Sequence, residues 1–249
     1  MTFGNPLLGY VRWQAQDALP RALTPVLLFL LMAGLPLWSA STQFGLAAMD
    51  RPGDAQRDAL QIYAAILPIA MTLGAVILAS GLPATDREKQ YFRFLFAKPV
   101  SVWQFYLQQF TVAVAMFVAA MALVPLGFSA IVTAVSVVAV IKSSLVYALL
   151  FGSLLTLCGS LVNRDGVAFV GVAAISSILQ GLAQGEGAPA WIGFLAHVLP
   201  PFRTADLVRS LWISGQPVNP ADVALVIGYS LGMLAAALVL VRRLPLARS

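Results

Sequence analysis

The stretch Ala59-Leu-Gln-Ile-Tyr-Ala-Ala-Ile-Leu-Pro-Ile-Ala-Met-Thr-Leu-Gly-Ala-Val-Ile-Leu-Ala-Ser-Gly-Leu82 carries no charged side chain from end to end. A helix needs about 20 mainly apolar residues to cross the hydrocarbon of a bilayer, and this run is long enough. Pro68 and Gly74 fall inside it, and both residue types are ordinary in spanning helices. The same reading applied outward finds five further runs bounded by charge, Pro or Gly. The six candidate spans are 22–41, 59–82, 105–128, 143–162, 167–183 and 222–241. The apolar stretch between Phe105 and Val162 is too long for one crossing, and Pro125-Leu126-Gly127 divides it into two. Lys142 then marks the aqueous end of the fourth span and snorkels to the headgroups; the alternative is a deeper position facing protein or water.

Composition agrees. Of 249 residues, 60% are apolar and 10% charged, against about 45–50% and about 25% in soluble domains. Mean hydropathy is +0.87. The expectation is an all-α integral membrane protein forming one transmembrane domain over residues 1–249. Cys158 is the single cysteine and His197 the single histidine, which excludes an internal disulfide and any Cys- or His-rich metal centre. The net charge of +5 comes from cations scattered through an apolar chain, with no basic patch interleaved with aromatics, so nucleic acid is not an expected partner.

Lys and Arg set the orientation, because they concentrate in cytoplasmic segments beside the spans. With both termini inside, the cytoplasmic segments hold ten, including Arg12, Arg21, Arg87, Lys89, Arg93, Arg164 and Arg242. The outer segments hold five: Arg51, Arg57, Lys142, Arg203 and Arg209. The first apolar run starts late and lacks a small-residue cleavage site, so it reads as a span rather than a cleavable signal. Before it, Leu7, Leu8, Val11, Ala15, Ala18 and Leu19 recur at helical spacing, the pattern of an interfacial helix on the cytoplasmic surface.

The largest cytoplasmic loop between spans runs from Leu82 to Ser101. Thr85 and Glu88 have capping-box spacing, and Pro99 disfavours helix at the residue before it, which predicts a short helix over about 86–97. Acid at its start suits the helix dipole. Ser101 and Gln104 repeat the capping spacing and open the third span. The loop helix carries Tyr91, Phe92, Phe94, Leu95 and Phe96 beside Arg87, Lys89 and Arg93. Such a set serves equally as an aromatic interface belt with snorkelling cations or as a docking knob for a cytosolic partner.

A cytoplasmic helix with a charged start, an apolar centre and Pro-Val-Ser leading into the third of six spans resembles the permeases of the ABC-2 type transporter family. Arg87, Glu88 and Lys89 match the charged start, Leu95 the apolar centre, and Pro99-Val100-Ser101 the end. The chain has Gln90-Tyr91 where the family commonly has Gly-Thr, and Val102 where it commonly has Arg. Leu161-Val162-Asn163-Arg164 before a tight turn, and His197-Val198-Leu199-Pro200-Pro201-Phe202 before an amphipathic piece with Asp206, Leu207, Leu211 and Trp212, are also similar to the family's pattern. The resemblance covers nearly the whole chain.

The resemblance implies the membrane subunit of an ATP-driven exporter in the prokaryotic inner membrane. It implies a dimer with a second permease subunit, each half seated on a separate cytosolic ATPase subunit that holds ATP, with the 86–97 helix as the coupling element. Docking would fall on Arg87, Glu88, Lys89, Tyr91, Phe92, Arg93, Leu95 and Phe96. The chain itself has no phosphate-cradling G-x-x-x-x-G-K-[ST] loop, so no catalytic, cofactor or metal residues are assigned to it. An ion-coupled secondary transporter would carry acids near the bilayer midplane, and the six spans have none at their centres. A non-catalytic membrane scaffold is the other alternative. Gly228 and Gly232 form a G-x-x-x-G pair, and Gly166, Gly171, Ala174, Ser177 and Gly181 make the fifth span rich in small residues, which permits close helix packing within the chain or across a dimer. With no polar stripe on the spans, the expected cargo is hydrophobic or amphipathic.

Overall fold

The computed structural model describes residues 6–47, 52–80, 101–162, 165–185 and 189–243. Eight helices and no strands are present among them: α1 Pro6–Ala47, α2 Pro52–Ala79, α3 Val102–Ile131, α4 Val137–Leu161, α5 Asp165–Leu182, α6 Ala190–Val198, α7 Phe202–Ile213 and α8 Pro220–Arg243. Six of these, all but α6 and α7, are long and apolar enough to cross a bilayer.

Helix α4 is the hub. It packs on α2, α3, α5, α7 and α8, while α1 lies across α2 and α3. Leu150, Leu155 and Val140 of α4 are almost fully buried, as are Leu67 and Met71 of α2 and Phe117 and Met121 of α3. Small residues let these helices approach. A Cβ on Gly74 would lie 2.4 Å from Cβ of Pro25 and 2.8 Å from the Phe117 ring, so α1, α2 and α3 meet where only glycine fits. Pro68 and Gly74 leave α2 unbroken.

Three boundaries differ from the sequence reading, each for a physical reason. First, the interfacial segment and first span are one helix, 42 residues or about 63 Å long. Gln14, Ala18, Ala22, Pro25, Phe29 and Ala33 form one buried stripe on both sides of Pro20, so packing carries the helix through the missing N–H. An Asp17–Arg21 ion pair and a Thr24 hydroxyl donating to the Pro20 carbonyl brace the same turns. Second, α3 runs through the buried Pro125 to Ile131. In an apolar setting, losing one backbone bond costs less than opening the whole ladder.

Third, the break comes between Val132 and Ser136. There the Ser129 hydroxyl accepts from the Val135 N–H and the Ser136 hydroxyl caps α4 by accepting from the Ala139 N–H. α4 therefore begins at Val137, and Lys142 sits exposed in its second turn. That position is about 8 Å along the helix from Val137.

Between α5 and α8 lies a helical corner. The apolar α6 and the amphipathic α7 are joined through Leu199-Pro200-Pro201. At nine residues α6 is far too short to span.

Candidate functional site

The expected docking residues Arg87, Glu88, Lys89, Tyr91, Phe92, Arg93, Leu95 and Phe96 lie outside the described residues, as do Asn163 and Arg164 of the expected tight turn. The structure gives the frame around that loop. α2 ends at Ala79, where the Ser80 N–H and hydroxyl donate to the carbonyls of Val76 and Ile77. α3 opens with Ser101 at its N-cap, in extended conformation, its carbonyl accepting from the Phe105 N–H at 3.1 Å. The position is the expected one, but the Ser101 hydroxyl makes no capping bond and is buried without a partner.

The same end of the bundle has its own small core, in which Phe105 and Tyr106 of α3 pack with Val241 and Leu238 of α8. The two rings meet edge to face at 5.5 Å. In the first turns of α1, Gln14 is buried with both amide atoms unpartnered.

Gly228 and Gly232 are placed away from any neighbour: a Cβ on either would meet nothing within 4 Å. The buried positions of α8 are instead Val226, Ser230, Met233, Leu234, Ala237 and Val241. The G-x-x-x-G pair thus packs against no neighbouring helix among the described residues. Gly166, Gly171 and Gly181 of α5 are equally open, and α5 buries only Phe169 and Ser176. Gly171, Ala174, Ile178 and Gly181 recur three or four residues apart and are all exposed, which makes one open face of small and apolar residues.

At the opposite end, polar contacts hold the α6–α7 corner to the spans. The Pro200 carbonyl accepts from the Ser176 hydroxyl at 3.0 Å and from the Gln180 amide at 2.7 Å. The Tyr229 hydroxyl of α8 donates to the Val198 carbonyl. The Tyr147 hydroxyl of α4 donates to Asp206 of α7 at 3.0 Å, and Arg209 donates to the same carboxylate oxygen through Nε at 3.0 Å and Nη2 at 2.7 Å. Phe151 of α4 lies against Phe169 of α5 and stacks on Phe202 of α7 at 5.1 Å. Composition flagged Asp206, but neither Tyr147 nor the ring of contacts around Pro200 carries a local signal, because the partners are distant in the chain.

His197 is exposed and its Nδ1 is 2.7 Å from the Gly193 carbonyl, while Cys158 is buried in α4. Among the described residues, no group of three His, Cys, Asp or Glu side chains could hold a metal ion. The arrangement is a mechanical one: a buried hub helix, an exposed apolar helix, and a corner fastened across both.

Neither the curated proteins nor the solved structures compared with this chain give a match. The sequence model of the ABC-2 family transporter proteins does match, over residues 23–243, from the first span to the end of the last. With six apolar helices of spanning length among the described residues, the protein belongs to the ABC-2 family of transporter proteins as a multi-pass membrane transport component.

Proposed function

We propose that this chain is the permease of an ATP-driven exporter, dimeric, and coupled through the 86–97 helix to a separate cytosolic ATPase subunit on which ATP binds and turns over. The observation that carries the reading is the family match across every span. The cation distribution supports cytoplasmic termini, which puts residues 82–101 on the side where an ATPase would sit. Closure of two ATPase chains would push on Arg87 to Phe96 and bias the spans between inward- and outward-open packings, a shift that needs differential affinity of ATP for one state and no chemistry in the membrane.

The open face of α5 supports a second permease copy as its cover. Glycines that pack against none of the described residues of other helices are costly in a helix interior unless a neighbouring helix uses the space they leave. Gly228 and Gly232 offer a second place of close approach on α8 for a neighbouring helix. The cargo in this reading is hydrophobic or amphipathic, and the setting is a prokaryotic inner membrane.

The test is affinity purification of the tagged chain from its native membrane in mild detergent, with identification of co-purifying chains and assay of ATP hydrolysis. The wild type should bring down an ATPase subunit in equal amount, and the combined Arg87→Ala, Glu88→Ala, Phe92→Ala variant should lose that subunit or hydrolyse ATP without transport. A chain that purifies alone and without ATPase activity favours the secondary-transporter or scaffold reading.

A further inference from the structure

A cavity of about 500 Å³ opens at the end of the bundle that carries the α3–α4 turn, between α2, α4 and α7. Its size falls in the range of small-molecule sites, about 300–1,000 Å³. Ser136, Ser210 and Ser214 stand exposed at its rim, and Leu60, Val140 and Ile213 supply apolar wall. Two polar groups that line it keep donor capacity unused among the described residues. Tyr63 lines the cavity, is 2% exposed, and has its ring clasped between Phe29 and Phe128 at 5.6 and 4.5 Å. Its hydroxyl is buried and has no hydrogen-bond partner among the described residues, a condition that costs about 1–3 kcal/mol unless a ligand or water supplies one. Arg209 lines the same cavity with its side chain only 11% exposed. Asp206 takes its Nε and Nη2 through a single oxygen, and among the described residues no hydrogen bond engages Nη1.

We infer that this cavity binds an amphiphile with an anionic oxygen headgroup, a phosphate or carboxylate, whose oxygens accept from Arg209 and the Tyr63 hydroxyl while its chain lies along the apolar wall. The chemistry selects the class. A guanidinium and a hydroxyl are both donors toward such an oxygen, and charge-assisted bonds of this kind are about twice as strong as neutral ones. The apolar wall beside them rewards a hydrocarbon that a free ion lacks. Asp206 tempers the cation without removing it, since its own carboxylate is 57% exposed and keeps much of its interaction with water. The inference concerns binding by this chain alone and stands whether or not the transport reading does.

The test is native mass spectrometry of the full chain purified in dodecyl maltoside, titrated separately with dodecyl phosphate, dodecanol and inorganic phosphate, with thermal unfolding of each variant alongside. Dodecyl phosphate should bind once and saturably, and the other two probes should not. Tyr63→Phe should weaken binding about tenfold without lowering the unfolding temperature, because its hydroxyl has no internal partner to lose. Arg209→Gln should weaken it at least as much. Asp206→Asn, which keeps the hydrogen-bond geometry and removes the competing charge, should tighten it severalfold. Equal binding of dodecanol would make the cavity a plain apolar cleft. Saturable binding of inorganic phosphate would make it a free-anion site. Wild-type affinity in Tyr63→Phe overturns the inference even if Arg209→Gln fails to fold.

Discussion

Helices α4 and α5 follow one another in the chain and are both apolar enough to span a bilayer, yet 67% of the apolar window of α4 is buried inside the protein against 11% for α5. The difference is in what the small residues do. In α4, Gly152 brings the Phe110 ring to 3.0 Å from where a Cβ would sit, and Ser153, Thr156 and Ser160 turn their hydroxyls onto carbonyls of their own helix. These polar groups are buried at little cost because the backbone satisfies them. In α5, a Cβ on Gly166, Gly171 or Gly181 would meet nothing within 4 Å among the described residues. Apolar composition therefore identifies a spanning helix but not its place in the bundle. Place is decided by which surfaces have neighbours, and the open surfaces of α5 have none among the described residues.

Substitutions that separate the two helices should show the largest effects in α4 and around it. Leu155→Ala empties a fully buried site and should cost about 2–5 kcal/mol, read as a large drop in unfolding temperature of the detergent-solubilised protein. Ile178→Ala, at a position 61% exposed, should leave that temperature nearly unchanged. A large loss at Ile178 would mean that α5 is held by its own chain after all.

Glycine substitutions sharpen the same contrast at a smaller scale. Gly74→Ala forces a methyl into Pro25 and Phe117, both stiff groups, and should destabilise by about 1–3 kcal/mol. Gly171→Ala meets open space and should be neutral or slightly stabilising in the isolated chain, since alanine is favoured in helices by about 1 kcal/mol. Among the substitutions expected to destabilise, the smallest loss is at the corner. Tyr147→Phe removes the α4 donor to Asp206 but leaves Arg209 on that carboxylate, so a loss of about 1 kcal/mol is expected in the same melting assay.

What the sequence made legible follows from range. The six spans, the starts of α5 and α8, and the position of Ser101 before α3 depend on local hydropathy and turn residues, and each can be read within one or two turns of chain. Pro125 misleads because its local preference to end a helix is outweighed by burial, and the break moves to the Ser129–Ser136 turn. Pro20 is overridden in the same way by the buried stripe of α1. α6 goes unread because an apolar segment bounded by Pro189 and Pro200 is too short for the spanning rule, although those prolines frame a short helix. The demand at Gly74 is invisible in sequence, since Pro25 and Phe117 lie far off in the chain. So is the tie from Tyr147 to Asp206, 59 residues apart. The docking residues of the 86–97 helix were reached through a motif and lie outside the described residues.

The most direct measurement is cysteine cross-linking in native membranes. In a Cys158→Ser background, single cysteines replace Gly171 or Ala174 on the open face of α5, with Leu123→Cys on the exposed side of α3 as the control. The account predicts covalent permease dimers from the α5 positions, none from α3, and a change in yield when ATP is trapped on the partner subunit. Monomer from both α5 positions, or a yield indifferent to ATP, would contradict it.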